Sequence, residues 1–153
     1  MCEIIFRGKA INRDIGYHRT SYKNGDWVYG LVTRIYDERF ELPVEMTDIN
    51  GVSGIEVDYK TIGQYTGSKD KNGKKIFEGD IIKYKNTDGI KFNGVALTVT
   101  GKVVYNEKNA SFAISGKDEI GAKHYDYFPI KKIEVIGNIH DNPEILKDGE
   151  KND

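Results

Sequence analysis

Apolar and polar residues alternate along most of this chain, and almost nowhere do they repeat with a helical period. Ile4-Ile5-Phe6-Arg7 predicts a first strand. Asn24-Gly25 marks a hairpin turn, because that pair accepts positive φ at both central positions. Residues 26–36 follow with Trp27, Val28, Tyr29, Leu31, Val32, Ile35 and Tyr36, a long aromatic and branched strand. Phe40, Leu42, Val44 and Met46 then alternate with Glu41, Pro43, Glu45 and Thr47, which predicts an exposed strand. Pro43 would confine it to a sheet edge, since proline has no N–H to give a neighbour. Ile55, Val57 and Tyr59 alternate again with Glu56, Asp58 and Lys60.

The densest run of signals is residues 64–84. Asp70-Lys71-Asn72-Gly73 reads as a turn, Ile76-Phe77 as an inward-packing pair, and Glu78-Gly79-Asp80 as a second tight turn. Ile81-Ile82-Lys83-Tyr84 begins the next strand, and Thr87-Asp88-Gly89 reads as a loop. Residues 95–105 predict a long strand in which Gly101 makes a bulge or bend. Shorter strands are expected at 111–114, 125–128 and 133–139, with a polar tract over 115–123. Only the end looks helical. Asn142 can cap, Pro143 suits the first helical position, and Glu144 favours the positive end of the dipole. Ile145 and Leu146 would dock that short turn, and residues 149–153 read as a frayed tail. No internal repeat is evident.

Composition agrees with a β-rich reading. Seventeen glycines and ten tyrosines stand against three prolines and two methionines. A chain of 153 residues suits one domain or two small β modules. It should bury roughly 70% of its unfolded surface, so it needs neither metal nor disulfide to fold. The formal charge is −1. Residues 1–62 hold eight basic and ten acidic side chains, and residues 63–153 hold fifteen and fourteen. Neither part has the basic balance expected of a dedicated polyanion binder. Cys2 is the only cysteine, which excludes an internal disulfide and a thiolate metal site and fits a reducing cytoplasm. The apolar run after Met1 is too short for a signal peptide, and no stretch approaches the roughly 20 apolar residues of a spanning helix.

Candidate chemistry is sparse. His18, His124 and His140 form no metal-type spacing. His124-Tyr125-Asp126 could hold a general base beside a carboxylate, but neighbours on a strand face opposite ways, which argues against a working pair. Cys2 is a poor nucleophile candidate at a chain end that usually frays. Glu78, Asp80 and Asp70 could offer oxygens to a divalent cation. The simpler reading is that Asp80 accepts backbone N–H bonds and holds the turn. Lys69, Lys71, Lys74 and Lys75 with Asp70 give the first turn a local charge of +3. With Tyr65 and Phe77 nearby, that turn could contact phosphates while an aromatic stacks on bases. The alternative is a solvated hairpin tip whose lysines discourage edge pairing. Trp27 reads as a core or interface residue. No phosphate-binding loop, dinucleotide fingerprint or nucleophile elbow occurs.

Several of these segments resemble the YopX family of phage and prophage proteins. They are Ile5-Phe6-Arg7-Gly8-Lys9, Gly25-Asp26-Trp27-Val28-Tyr29-Gly30, the run 64–84, Gly101-Lys102-Val103-Val104-Tyr105 and residues 133–146. The two long segments are the specific ones, and the similarity runs in order through nearly the whole chain. Residues 37–54 and 118–126 match nothing in it. The resemblance implies a mostly β protein encoded by a mobile element, and it implies no activity and no catalytic residue. His140 stands where the family often has an aromatic, which argues that this position need not be chemical.

The expected fold is mainly β: an N-terminal β module over 1–62, a small SH3-like barrel with a C-terminal helical turn over 63–147, and a tail over 148–153. The expected function is that of a non-enzymatic accessory protein in a bacterial cytoplasm. It would assemble with itself or bind a host or phage protein, without cofactor, metal or membrane. The alternative is a small-barrel nucleic-acid binder in phage replication or transcription, with Tyr65, Lys69, Lys71, Lys74 and Lys75 as the contact residues.

Overall fold

The computed structural model describes residues 3–11, 21–35, 44–128 and 132–147, and only the backbone of 88–92. Cys2, His18, Tyr36, Phe40, Leu42, Pro43 and the tail from 148 onward lie outside the described residues. The architecture is mainly β, as the alternation predicts: two antiparallel five-stranded sheets and one short C-terminal helix. The chain divides into two compact units, Met1–Tyr65 and Thr66–Asp153.

In the first unit, β1 (Phe6–Ala10), β2 (Trp27–Ile35) and β3 (Val44–Asp48) pair in sequence, and β4 (Ile55–Lys69) pairs with both β3 and β1. Four strands therefore close into a ring. Alternate residues point inside, where Ala10, Val28, Val44, Met46, Ile55 and Val57 form the core with Phe6, Tyr22, Val32 and Ile62 packed against them. Each such side chain withdrawn from water contributes about 1.5–3 kcal/mol. Ring closure sets limits on residue size. A Cβ on Gly8 would stand 3.1 Å from Val57 Cβ and 3.3 Å from Met46 Sδ, and one on Gly30 would stand 1.9 Å from the Thr47 carbonyl oxygen. The β1–β4 ladder shifts register between Arg7 and Lys9. There the Thr61 hydroxyl accepts from Lys9 N–H at 2.8 Å and donates to the Asp58 carbonyl at 2.7 Å, so the Lys9 amide is satisfied at the break. Of the strand expected around 40–47 the described part, from Val44 on, lies in β3, and there it is not an edge. Its ladders to β2 and β4 occupy both sides, because the ring brings β4 back against it.

β4 runs on beyond Tyr65, and β5 (Lys75–Phe77) extends the sheet beside it. In the second unit β6 (Asp80–Phe92), β7 (Val95–Asn106), β8 (Ser111–Asp118) and β9 (Lys123–Tyr127) form a meander. β10 (Glu134–Asn138) returns beside β6, giving the order β10-β6-β7-β8-β9. Ile76, Ile82, Tyr84, Val99, Val103, Ile114 and Ile133 form the core, with Phe112, Phe128 and Val135 against it. The expected loop at 87–89 is instead part of β6. The ladder to β7 steps from Asn86↔Leu97 directly to Lys91↔Ala96, so the extra residues are absorbed as an irregularity. The chain turns at Asn93-Gly94, whose φ angles of +51° and +79° are those of a tight hairpin turn.

Gly101 is not a bulge either, since both ladders run through it without a shift. It faces Gly116 on the neighbouring strand. A Cβ on Gly101 would stand 2.7 Å from Ser115 O, and one on Gly116 would stand 2.3 Å from Thr100 O. Two strands that approach so closely on one face coil the sheet strongly. The closing helix α1 (Glu144–Lys147) follows Pro143 as expected, but Asn142 does not cap it in the usual way. Its Oδ1 accepts from Asn138 N–H at 3.4 Å. Ile145 docks over Gly137, where an added Cβ would meet the Ile145 Cδ1 at 3.0 Å and Asn142 Oδ1 at 2.8 Å.

Gly116→Ala and Gly30→Ala should each destabilise their own unit by about 3 kcal/mol, because backbone rather than a flexible side chain fills the space. Gly25→Ala, with nothing within 4 Å and only a strained φ to bear, should cost about 1 kcal/mol. Urea unfolding curves of the three variants test that ranking.

Candidate functional site

The lysine-rich turn is built as a β-hairpin tip. Lys69 ends β4, residues 70–74 turn, and Lys75 opens β5. Lys69, Lys71 and Lys74 are exposed and Lys75 is half-buried. Lys71 does not face solvent alone: its Nζ lies 2.5 Å from Glu134 Oε2, which removes one unit from the local positive charge. Tyr65 is 6% exposed, so its ring is packed away and has no face to offer a base. Phe77 packs inward as expected. The lysines thus cluster at the hairpin tip, while the Tyr65 ring expected to work with them is buried. Trp27 is half-buried, with the Arg7 guanidinium 4.7 Å and the Lys9 ammonium 5.4 Å from its ring centroid, so its π face holds cations of the same chain.

The carboxylates near this turn hold backbone. Asp80, 1% exposed, accepts from Phe77 N–H at 2.8 Å, the role expected of it. Asp70 Oδ1 accepts from Asn72 N–H at 2.8 Å and Lys74 N–H at 2.9 Å, and its Oδ2 accepts from Val135 N–H at 3.2 Å. Both oxygens of Asp70 are thus engaged with backbone amides of its own chain. Among the described residues no group of three or more His, Cys, Asp or Glu could hold a metal ion.

Asp70 is one of three. Asp48 Oδ1 accepts from Asn50 and Val52 N–H at 2.9 and 2.8 Å, and Asp118 Oδ1 accepts from Ile120 and Ala122 N–H at 3.1 and 2.8 Å. In each turn the aspartate amide donates to the carbonyl four residues on, and a glycine three residues on, at φ between +82° and +88°, donates back to the aspartate carbonyl. The second carboxylate oxygen then reaches a further element: Tyr22 OH for Asp48, Val135 N–H for Asp70, His124 for Asp118. Sequence reasoning found only the turn at 70–73. The signal for the others was present, as Asp48-Ile49-Asn50-Gly51 and Asp118-Glu119-Ile120-Gly121 carry the same Asp-x-x-Gly spacing.

The Asp118 turn leads into a polar cluster centred on His124. His124 and Asp126 are two residues apart on β9, so they share a face; the expected opposition applies to Tyr125 alone. His124 Nε2 lies 2.9 Å from Asp118 Oδ2. A carboxylate can only accept, so Nε2 carries the proton. Nδ1 lies 3.4 Å from the Asn86 amide nitrogen and 3.8 Å from Asp126 Oδ2. Tyr84 OH donates to Asp126 Oδ2. Burial first, and then that hydrogen bond and charge, push the Tyr84 phenol far above the ordinary tyrosine range. Burial works to raise the Asp118 carboxyl, yet the bonds from His124, Ala122 and Ile120 hold it below the ordinary value. Against burial, Asp48 is held low by the Val52 amide, the Tyr22 hydroxyl and Asn50, and Asp70 by the Val135 amide and then those of Lys74 and Asn72. Each ring nitrogen of His124 thus has a neighbour of the same chain, and the network joins β6, β8 and β9 as a structural tie.

A family model described as YopX protein matches residues 8–147 of the chain. The chain belongs to the YopX family. No curated protein matches it. In this YopX chain the family-like segments fall on the parts that determine shape: Gly8 and Gly30 inside the ring, the Asp70 turn, Gly101 at the coil of the second sheet, and Gly137 under the helix. The His124 cluster draws three of its members, Asp118, His124 and Asp126, from residues 118–126, a stretch on which no resemblance rested. Among the described residues of this YopX chain no helix is long and apolar enough to cross a membrane.

The three turn aspartates give a pH dependence of defined sign. Their folded pKa values lie below the ordinary 3.8, so their stabilisation is present above that value and fades as pH falls through the lower, folded-state values. Urea midpoints measured from pH 6 down to about pH 2 should fall steeply below about pH 4, and Asp118→Asn should flatten that fall. Asp70→Ala, which leaves three backbone N–H groups without their acceptor, should cost about 2 kcal/mol at neutral pH.

Proposed function

We propose that this chain is a non-enzymatic phage or prophage accessory protein that acts by assembling with itself or by binding a host or phage protein. The observation that supports this reading is a division of labour among side chains. The groups with catalytic potential, Asp70, Asp80, Asp118, His124, Asp126 and Tyr84, bond to their own chain. The large apolar side chains left in water include Tyr29, Leu31 and Ile35 on β2 and Tyr125 and Tyr127 on β9, residue types that favour protein contacts. The order β10-β6-β7-β8-β9, with the last strand beside the first, supports reading the second unit as a small SH3-like barrel that presents such strands. The near-neutral charge and lone cysteine suit a bacterial cytoplasm, with no cofactor required.

A nucleic-acid role is the second reading, favoured by exposed Lys69 and Lys74 at one hairpin tip. It is the weaker one, because Lys71 is paired with Glu134 and Tyr65 is buried. Light scattering across a concentration series tests the first reading; a mass above one chain is the expected result. Fluorescence anisotropy with labelled single-stranded DNA and RNA tests the second. Binding that weakens steeply with salt and is lost in a Lys69→Glu, Lys74→Glu variant would establish it, and no binding at low salt would remove it.

A further inference from the structure

Strand β9 ends its sheet: among the described residues its only ladder partner is β8. Which of its amides face the open side follows from two bonds. Asp118 N–H donates to Ala122 O at 3.0 Å, and Phe128 N–H reaches Phe112 O at 3.5 Å. Antiparallel ladders alternate hydrogen-bonded and non-bonded pairs, so 122, 124, 126 and 128 turn their backbone groups to β8. Lys123, Tyr125 and Tyr127 turn theirs outward. The side chains of these same three residues are also the exposed ones. Tyr125 and Tyr127 are each 47% exposed and pack edge to face, with centroids 5.5 Å apart.

We propose that β9 is the site at which two copies of this chain join, by antiparallel pairing of β9 with β9 about a two-fold axis through Tyr125. The inference rests on the self-assembly reading above and names its surface. Symmetry and amide alternation allow a two-fold at any residue of β9; centres on 123 and 127 pair only one outward residue of the strand with its counterpart, which leaves 124, 125 and 126. Centring on 126 sets Asp126 against Asp126, and centring on 124 sets His124 against His124 and engages Tyr127 only with the Asp118 turn. Centring on 125 uses all three outward residues and forms about six backbone hydrogen bonds. It also sets His124 opposite Asp126 and Lys123 opposite Tyr127 of the second copy, with the two Tyr125 rings side by side. No like charges meet, and a lysine faces an aromatic on the outer surface. The strand Lys123-His124-Tyr125-Asp126-Tyr127 is thus complementary to its own reversal.

The geometry is directly testable. In the hydrogen-bonded pair the two Tyr125 Cα atoms would lie about 5.5 Å apart, so thiols placed there fall within reach of a short bismaleimide. The full chain carrying Cys2→Ser and Tyr125→Cys should form a covalent dimer with that reagent, whereas Cys2→Ser with Tyr105→Cys, exposed elsewhere in the same unit, should not. Sedimentation equilibrium should show the unaltered chain as a dimer and Tyr125→Lys as a monomer. A dimer that persists in Tyr125→Lys, or one in which Tyr125→Cys fails to cross-link, would overturn the β9 interface and leave self-assembly standing. An unaltered chain that remains monomeric at about 100 µM would overturn both.

Discussion

The hydrogen bond from Tyr84 to Asp126 depends on a sheet that has curled on itself. Tyr84 lies on β6 and Asp126 on β9, three strands apart in the ladder order. In a flat sheet that separation is about 14 Å, beyond the joint reach of a phenol and a carboxylate. Between those strands Gly101 and Gly116 face each other with no room for a Cβ on either. The concave face gathers the core. The apolar residues Ile82, Val99, Val103 and Ile114 enclose one another, and His124 meets Asp118 and Asn86 at the rim. A side chain at either glycine would therefore disturb packing and polar network together.

The second recurring device is the aspartate that closes a hairpin and holds a further group. One oxygen satisfies two turn amides, and the other is left for a phenol, a strand amide or an imidazole. A residue so used is neither a surface charge nor a catalytic one. It converts a local turn into a fixed point of the tertiary structure, and the depressed carboxyl pKa values are the electrostatic record of that work.

Much of this was legible in the sequence, and the failures have physical causes. Alternation located β2, β3, β4 and β7, because one face of each is buried and the other is not. Pairing between distant strands leaves no local mark, so the ring that places β3 between two neighbours could not be read from Val44 and Met46. Thr87-Asp88-Gly89 has turn composition, yet the strand absorbs it and the turn falls at Asn93-Gly94, an equally strong signal that was passed over. Tyr65 was assigned to a surface contact because it lies near lysines in sequence. It lies beyond the register shift of β4, where its amide bonds to the Ile5 carbonyl and both side chains are buried, a placement that its sequence neighbours do not announce. His124 and Asp126 were separated by a rule for adjacent residues when the rule for alternate residues governs them.

The ring of the first unit has a kinetic side. β1 must hold both β2 and β4, and its partner Gln64 lies 58 positions beyond Phe6. Contacts of such separation form slowly, because a long loop must close before any bond compensates for it. During synthesis β1 can meet β2 well before β4 has emerged, so the early hairpin waits with one edge open. Closure is then a single late event that removes the edges of β1 and β4 together. Until it occurs the nascent chain carries an unpaired strand edge, the kind of surface on which misassembly begins.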